Sequence, residues 1–189
     1  KFTSLAWRWL SVGGNEEVRS ELLHAIEGDS MTLAKAAILA LQPIECSERE
    51  IAMANFYEFW QDRPLILDTW FYLEASTPRK DALKRVRNLL EHPHYDPMAP
   101  NAVRAVLGGF ASNIKSFHAS DGSGYQFMTD QIIQLDKRNP ITASRLVKVF
   151  SRYGNYLDIN NKKMFESLMR LNDSDLSKNT GEVVELILK

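Results

Sequence analysis

Two arginines, Arg104 and Arg145, stand where their neighbours do not account for them. In "PNAVRAVLGGF" (100 to 110), Arg104 shares a helix face with Gly108 and Ala111, both small. Such a face either packs closely on another helix or leaves room in front of the guanidinium. Arg145 lies between Ile141 and Lys148, off the apolar stripe of Ala143, Val147 and Phe150. A guanidinium fork holds a carboxylate through two parallel N–H donors, so two of them on nearby helices of a concave surface suit carboxylate capture. From the pattern alone, ordinary surface salt bridges are the favoured reading.

The other reactive side chains form weaker sets. A zinc hydrolase places two histidines on one helix face as His-Glu-x-x-His, and none of the four histidines here stands in that spacing. His92-Pro93-His94-Tyr95-Asp96 offers two imidazoles from a loop, but its prolines make it a stiff turn, and a surface turn is the preferred reading. Cys46 has no fixed partner and reads as a half-buried thiol. Ser123 in Gly122-Ser123-Gly124 lacks a nucleophile elbow. There the glycines turn the chain into the next helix, with Asp121 or Ser123 capping it. In "RKDALKRVR" (79 to 87), five cations surround the Leu83-Val86-Leu90 stripe, so they read as a solvated helix face rather than a nucleic-acid contact.

The elements that must position these residues are helices. Apolar residues recur at helical spacing through Val18-Leu22-Ile26, Val103-Val106-Phe110, Met128-Ile132-Leu135, Ala143-Val147-Phe150, Phe165-Leu168 and Val183-Val184-Ile187. Ser30 precedes the alanine-rich "MTLAKAAILAL", and Ser47-Glu48-Arg49-Glu50 has capping-box spacing. Thr77-Pro78 and Asn139-Pro140 each place a capping residue before a first-turn proline. "LILDTWFYL" (65 to 73) is rich in β-formers, yet Ile66, Trp70 and Leu73 keep helical spacing. Between Ser47 and Leu73 apolar residues cover more than one face, which predicts helices sandwiched between neighbours. The expected fold is all-α: an irregular α-solenoid of stacked antiparallel helix pairs in the HEAT or armadillo manner, spanning 1–189 as a single domain.

Composition narrows the partners. A net charge of −1 gives no field to recruit nucleic acid or anionic lipid. No apolar run approaches the roughly 18 residues that cross a bilayer. The single cysteine excludes an internal disulfide framework and fits a reducing, cytoplasmic setting. The start, Lys1-Phe2-Thr3-Ser4, lacks a signal-peptide pattern and an initiator Met, so the chain reads as an excerpt of something longer. An excerpt is expected to expose an apolar docking face, here around Trp7, Trp9 and Leu10, with self-association as its consequence.

The stretch "HPHYDPMAPNAVRAVLGGFASNIKSFHASDGSGYQFMTDQIIQLDKRNPITASRLVKVFSRY" resembles the C-terminal helical domain of bacterial aminopeptidase N, the alanyl aminopeptidases of the gluzincin class. Carrying the likeness are Pro-Asn-x-x-Arg, Gly-x-Phe, Phe-His-x-x-Asp-Gly-Ser-Gly-Tyr and Arg-Asn-Pro-x-x-Ala-Ser-Arg. It extends from about residue 30 to about residue 170, with "FYEFWQDRPLILDTWFYLEAS" similar to the family's aromatic helices. The resemblance implies a solenoid that closes over a thermolysin-like domain of the same chain, which removes N-terminal residues from peptides. In that domain zinc polarises the carbonyl and activates water while a glutamate acts as base. Its zinc motif, its Gly-x-Met-Glu-Asn motif and its transition-state tyrosine are not in this sequence. This stretch would therefore supply no catalytic residue and no metal ligand, and alone it should be inactive. Arg104, in Pro-Asn-x-x-Arg, and Arg145, in Ala-Ser-Arg, match arginines that reach the enclosed cavity and meet a peptide's C-terminal carboxylate. The alternative is a stand-alone solenoid that binds a protein partner along its concave face.

Overall fold

The computed structural model describes residues 2–28 and 30–189, all but Asp158 with their side chains. Every regular element among these residues is helical. In chain order they are α1 (Phe2–Val12), α2 (Glu16–Glu27), α3 (Met31–Leu41), α4 (Ser47–Trp60), α5 (Pro64–Ala75), α6 (Ala82–Leu90) and α7 (Pro100–Val103). A π-helical turn (Arg104–Gly108) leads into α8 (Gly109–Ser112), then α9 (Ile114–Phe117), α10 (Ser123–Asp136) and α11 (Pro140–Val147). Two 3₁₀ turns (Lys148–Phe150, Tyr153–Asn155), α12 (Asp158–Asn172) and α13 (Lys178–Leu188) complete it.

Neighbours in sequence pack as neighbours in space. α2 lies on α3, α4 on α5, α10 on α11 and α12 on α13, while α1–α3, α2–α4, α10–α12 and α11–α13 contacts join successive layers. This is the expected irregular solenoid. Its interior divides into two clusters that meet along α5. Leu73 belongs to the N-terminal cluster, Leu67, Phe71 and Ala75 belong to the C-terminal one, and Trp70 touches both. The β-rich "LILDTWFYL" is therefore helical because tertiary burial on several sides overrides local preference.

Start signals vary in outcome. Asn139 accepts from the Thr142 N–H at 3.1 Å, and Ser30 accepts from the Leu33 N–H at 3.4 Å, as the sequence predicts. Ser47 is not the cap of α4: it lies inside the helix, Cys46 precedes it without a side-chain cap, and the Ser47 hydroxyl donates to Glu48 at 3.2 Å. Thr77 caps nothing either. Its hydroxyl is buried, donating to the Leu73 carbonyl at 2.7 Å and accepting from Arg49 at 2.6 Å, and α6 starts only at Ala82.

Three further expectations need correction. α5 is sandwiched, but α4 buries one face (Ala52, Met53, Phe56, Trp60) and leaves Ile51 and Phe59 outside. On α12 the buried stripe is Met164-Leu168-Leu171, with Phe165 exposed. Of the expected apolar face on α1, Trp7 is buried and donates to Glu21 at 3.1 Å, whereas Trp9 is 77% exposed and Leu10 lies outside with it.

Candidate functional site: two clefts around Arg104

The π-helical turn decides where Arg104 points. One extra residue in the turn rotates the downstream helix relative to the upstream one, which is why such bulges recur at functional sites. Here it buries Ala105, Val106 and Leu107, sends Arg104 outward and splits the work of the double glycine. Gly109 is the close-packing one: a Cβ there would lie 3.1 Å from the Ala75 Cβ and 3.3 Å from Tyr72, so α8 sits directly on α5. A Cβ on Gly108 would meet only the Arg104 Cγ, at 3.5 Å. Gly108 thus leaves open the space in front of the guanidinium, the second of the two outcomes open to that small face, while close packing falls to Gly109 beside it.

A single hydrogen bond steadies Arg104, from its Nη2 to the Asn101 Oδ1 at 3.2 Å. Arg145 comes from α11, whose buried side is Thr142, Ala143, Leu146 and Val147, so the guanidinium projects from the opposite face. Asn139 sets the two segments against each other. Its Oδ1 caps α11, and its Nδ2 donates to the Met98 carbonyl at 3.3 Å, just upstream of α7.

The result is a cleft of about 310 Å³ between α7, the π turn and α11, lined by Arg104, Gly108, Thr142, Arg145 and Leu146 among others. It brings together the two arginines the sequence singles out. Neither has an ion-pair partner among the described residues. On the other side of Arg104 lies a second cleft of about 390 Å³, between α3, α5 and the π turn. Lys35, Asp68, Tyr72, Arg104 and Gly108 line it. Burial pushes the Asp68 carboxyl above its usual range, and the Arg104 charge offsets only part of that. Sequence reading missed Lys35 and Asp68. Asp68 follows Leu67 on an otherwise apolar helix, and that polar interruption was the available signal.

Elsewhere, the candidates resolve into packing. His92 is no surface-turn residue: its ring lies 5.3–5.5 Å from those of Tyr57, Trp70 and Phe71. Its Nδ1 accepts the His94 N–H at 3.2 Å, and burial, with the neighbouring His94 charge, holds its pKa below the ordinary value. Asp121 does the capping foreseen beside Gly122. It accepts from the Ser123 N–H at 2.9 Å and from the Ser123 hydroxyl at 2.7 Å, while Gly122 takes the left-handed φ of 78°. The five cations of 79–87 are not simply a solvated face. Arg79 is buried and donates to the Ile44 carbonyl, Arg85 pairs with Asp81, Glu50 and Glu74, and Arg87 lies over Phe127 at 5.6 Å. Among the described residues, no group of three His, Cys, Asp or Glu side chains is placed to hold a metal ion.

The whole chain, residues 1–189, matches the family model described as "Domain of unknown function (DUF3458_C) ARM repeats". Aminopeptidase N of Escherichia coli (strain K12) is 36% identical over 164 residues, covering 86% of this chain and 19% of that protein. Aminopeptidase N of Caulobacter vibrioides is 38% identical over 142 residues, covering 74% of this chain and 16% of its own length. Among solved structures, Legionella pneumophila aminopeptidase A in complex with aspartic acid superposes with a TM-score of 0.90 at 29% identity, over 98% of this chain and 22% of that one. The chain thus spans about a fifth of the length of the relatives it matches. From a helical solenoid throughout and a family match from end to end, the chain belongs to the DUF3458_C family of ARM repeats, the C-terminal domain of bacterial aminopeptidase N.

Proposed function

We propose that this chain is the non-catalytic helical domain of a zinc-dependent aminopeptidase and that Arg104 and Arg145 receive the C-terminal carboxylate of a peptide substrate or product. The observation that carries this reading is their shared cleft, in which neither guanidinium is neutralised by a described residue. Similarity to aminopeptidases along most of the chain supports the same parent activity. In this reading the zinc belongs to the catalytic domain of the parent chain, and this domain's part is positioning. Held at its carboxyl end, a short peptide offers its N-terminal residue to the catalytic side at a fixed distance. The solenoid wall meanwhile limits which chains enter. The lone Cys46 accords with a cytoplasmic parent.

The test is a comparison of substrates in the complete enzyme. Arg145→Ala should lower kcat/KM for dipeptides and tripeptides by roughly ten- to a hundred-fold, the equivalent of one charge-assisted hydrogen bond of about 1.5–3 kcal/mol. Aminoacyl anilides, which carry no carboxylate, should be nearly unaffected. Arg104→Ala should follow the same pattern. Equal losses on peptides and anilides would assign both residues to the domain interface, and no loss on either would return them to surface salt bridging.

A further inference from the structure

The second cleft contains an unusual set of charges. Lys35 enters from α3, Asp68 from α5 and Arg104 from the π turn, and all three line the same cavity of about 390 Å³. Opposite charges in one cleft ordinarily close into an ion pair. Here no described pair forms: neither Lys35 nor Arg104 comes within salt-bridge distance of Asp68, and Arg104 hydrogen-bonds only Asn101. Asp68 is fixed on a helix buried along its other sides, and Arg104 is turned by the π bulge. A carboxylate and two cations held apart across a cavity are complementary to a ligand that carries both charges a few bonds apart. Between them Leu65, Tyr72 and Ala105 offer an apolar wall, and the volume lies within the about 300–1,000 Å³ of small-molecule sites.

We propose that this cleft binds a free α-amino acid as its zwitterion, with the ammonium on Asp68, the carboxylate on Lys35 and Arg104, and the side chain against Leu65 and Tyr72. Burial already makes the Asp68 charge costly, so a cationic ligand group relieves the cost. The site stands on this chain's residues alone and goes beyond the carboxylate cleft. It shares Arg104 with that cleft but neither Lys35 nor Asp68 lines it, and Arg145 lines only the other.

Calorimetric titration of the 189-residue chain with L-leucine, N-acetyl-L-leucine and L-leucinamide tests it, because the ligands themselves remove one charge at a time. L-leucine should bind saturably. Each neutralised analogue should bind roughly ten- to a hundred-fold more weakly, the loss of one charge-assisted contact. Asp68→Asn should erase the preference for L-leucine over the N-acetyl compound, and Lys35→Ala should weaken L-leucine binding. Circular dichroism of each variant controls for folding. Equal binding of all three ligands, absence of saturable L-leucine binding, or an unchanged preference in Asp68→Asn would overturn the assignment. Failure here leaves the peptide-against-anilide contrast untouched, and failure of that contrast leaves this titration untouched.

Discussion

The two ends of the solenoid are built from different materials. The N-terminal cluster sets four alanines, Ala34, Ala37, Ala40 and Ala52, among large side chains such as Leu22, Ile38, Leu41, Phe56 and Trp60. The C-terminal cluster is aliphatic with a linked set of rings at its centre: Phe110 meets Phe117 and Phe127 edge-on at 6.2 and 5.3 Å, and Phe117 meets Tyr125 at 5.2 Å. Alanines let α3 nest against α1, α2 and α4, but they interlock little, and much of the apolar surface of α1 remains outside. Edge-to-face rings fix their partners in angle as well as distance. Both arginines stand on the aromatic end, while Lys35 comes from the alanine end. α5 is the seam between them.

Each region is also fastened by a buried charge at its junction. Arg49, fully buried, runs from α4 into the seam and donates to Glu74, Glu50 and Thr77. Asp136, at the end of α10, accepts from the Ser177 N–H at 2.6 Å, from the Ser177 hydroxyl at 2.7 Å and from Thr180, holding the start of α13. Removing Arg49 should cost more, because two carboxylates lose a buried cation. Arg49→Met should destabilise the chain by about 3–5 kcal/mol, read by urea denaturation. Hydrogen exchange should rise first in α4–α6 and leave α10–α13 protected. Exchange that rises uniformly would show the two regions to be one cooperative unit. Asp136→Ala should cost about 1.5–3 kcal/mol and loosen α13 while sparing α4. The reverse pattern would dissolve the distinction.

Most of this architecture was legible, and the losses have physical reasons. Helical stripes such as Val18-Leu22-Ile26 and Met128-Ile132-Leu135 are buried as read, since periodicity reports burial directly. Arg49 was hidden behind a capping-box spacing, although it heads the buried series Arg49-Ala52-Met53-Phe56-Trp60 at helical intervals. Thr77 had the form of a cap and became a buried link, a choice made by Arg49 and Leu73, far from it in sequence or a turn away. The pairing of Arg104 with Arg145 was read as a pattern. The π turn that aims Arg104, and the arrival of Lys35 and Asp68 beside it, depend on long-range packing that no local spacing encodes.

Glycines sharpen the comparison further. Gly124 opens α10 under the α9 backbone, and a Cβ there would lie 2.4 Å from the Phe117 carbonyl oxygen and 2.6 Å from that of Ser116. These are backbone atoms, so the aromatic end has to move. Gly124→Ala should cost about 1–3 kcal/mol and broaden the near-ultraviolet signal of the ring cluster. Gly181, inside α13, meets nothing within 4 Å. Gly181→Ala should instead stabilise by about 0.5–1 kcal/mol through helix propensity. Thermal melts of the two variants moving in the same direction would break the contrast.

The smallest expected effect is acid sensitivity, and it has a defined sign. His118 closes α9, its Nδ1 lies 2.6 Å from the Tyr125 hydroxyl, and its ring lies 4.4 Å from that of Tyr156. Burial holds its pKa below the ordinary 6.5, so the folded chain takes up its proton later than the unfolded chain does. The associated stability is complete above the unfolded value and declines as pH falls from there through the folded pKa, below which the deficit is constant. His92 titrates in the same sense at the seam. Both rings are partly open to solvent, so each contribution should be below the about 1 kcal/mol of an ordinary hydrogen bond. Denaturation midpoints measured between about pH 7.5 and about pH 5, which spans the histidine range, should fall slightly in the parent chain. His118→Gln should remove part of the slope and His92→Gln another part. If His118→Gln removes the whole slope, the aromatic end alone senses acid; if neither variant changes it, the two histidines do not set the slope. Burial raises the Glu50 pKa, but Arg49 and Arg85 more than reverse this, so its stabilisation is lost only at still lower pH.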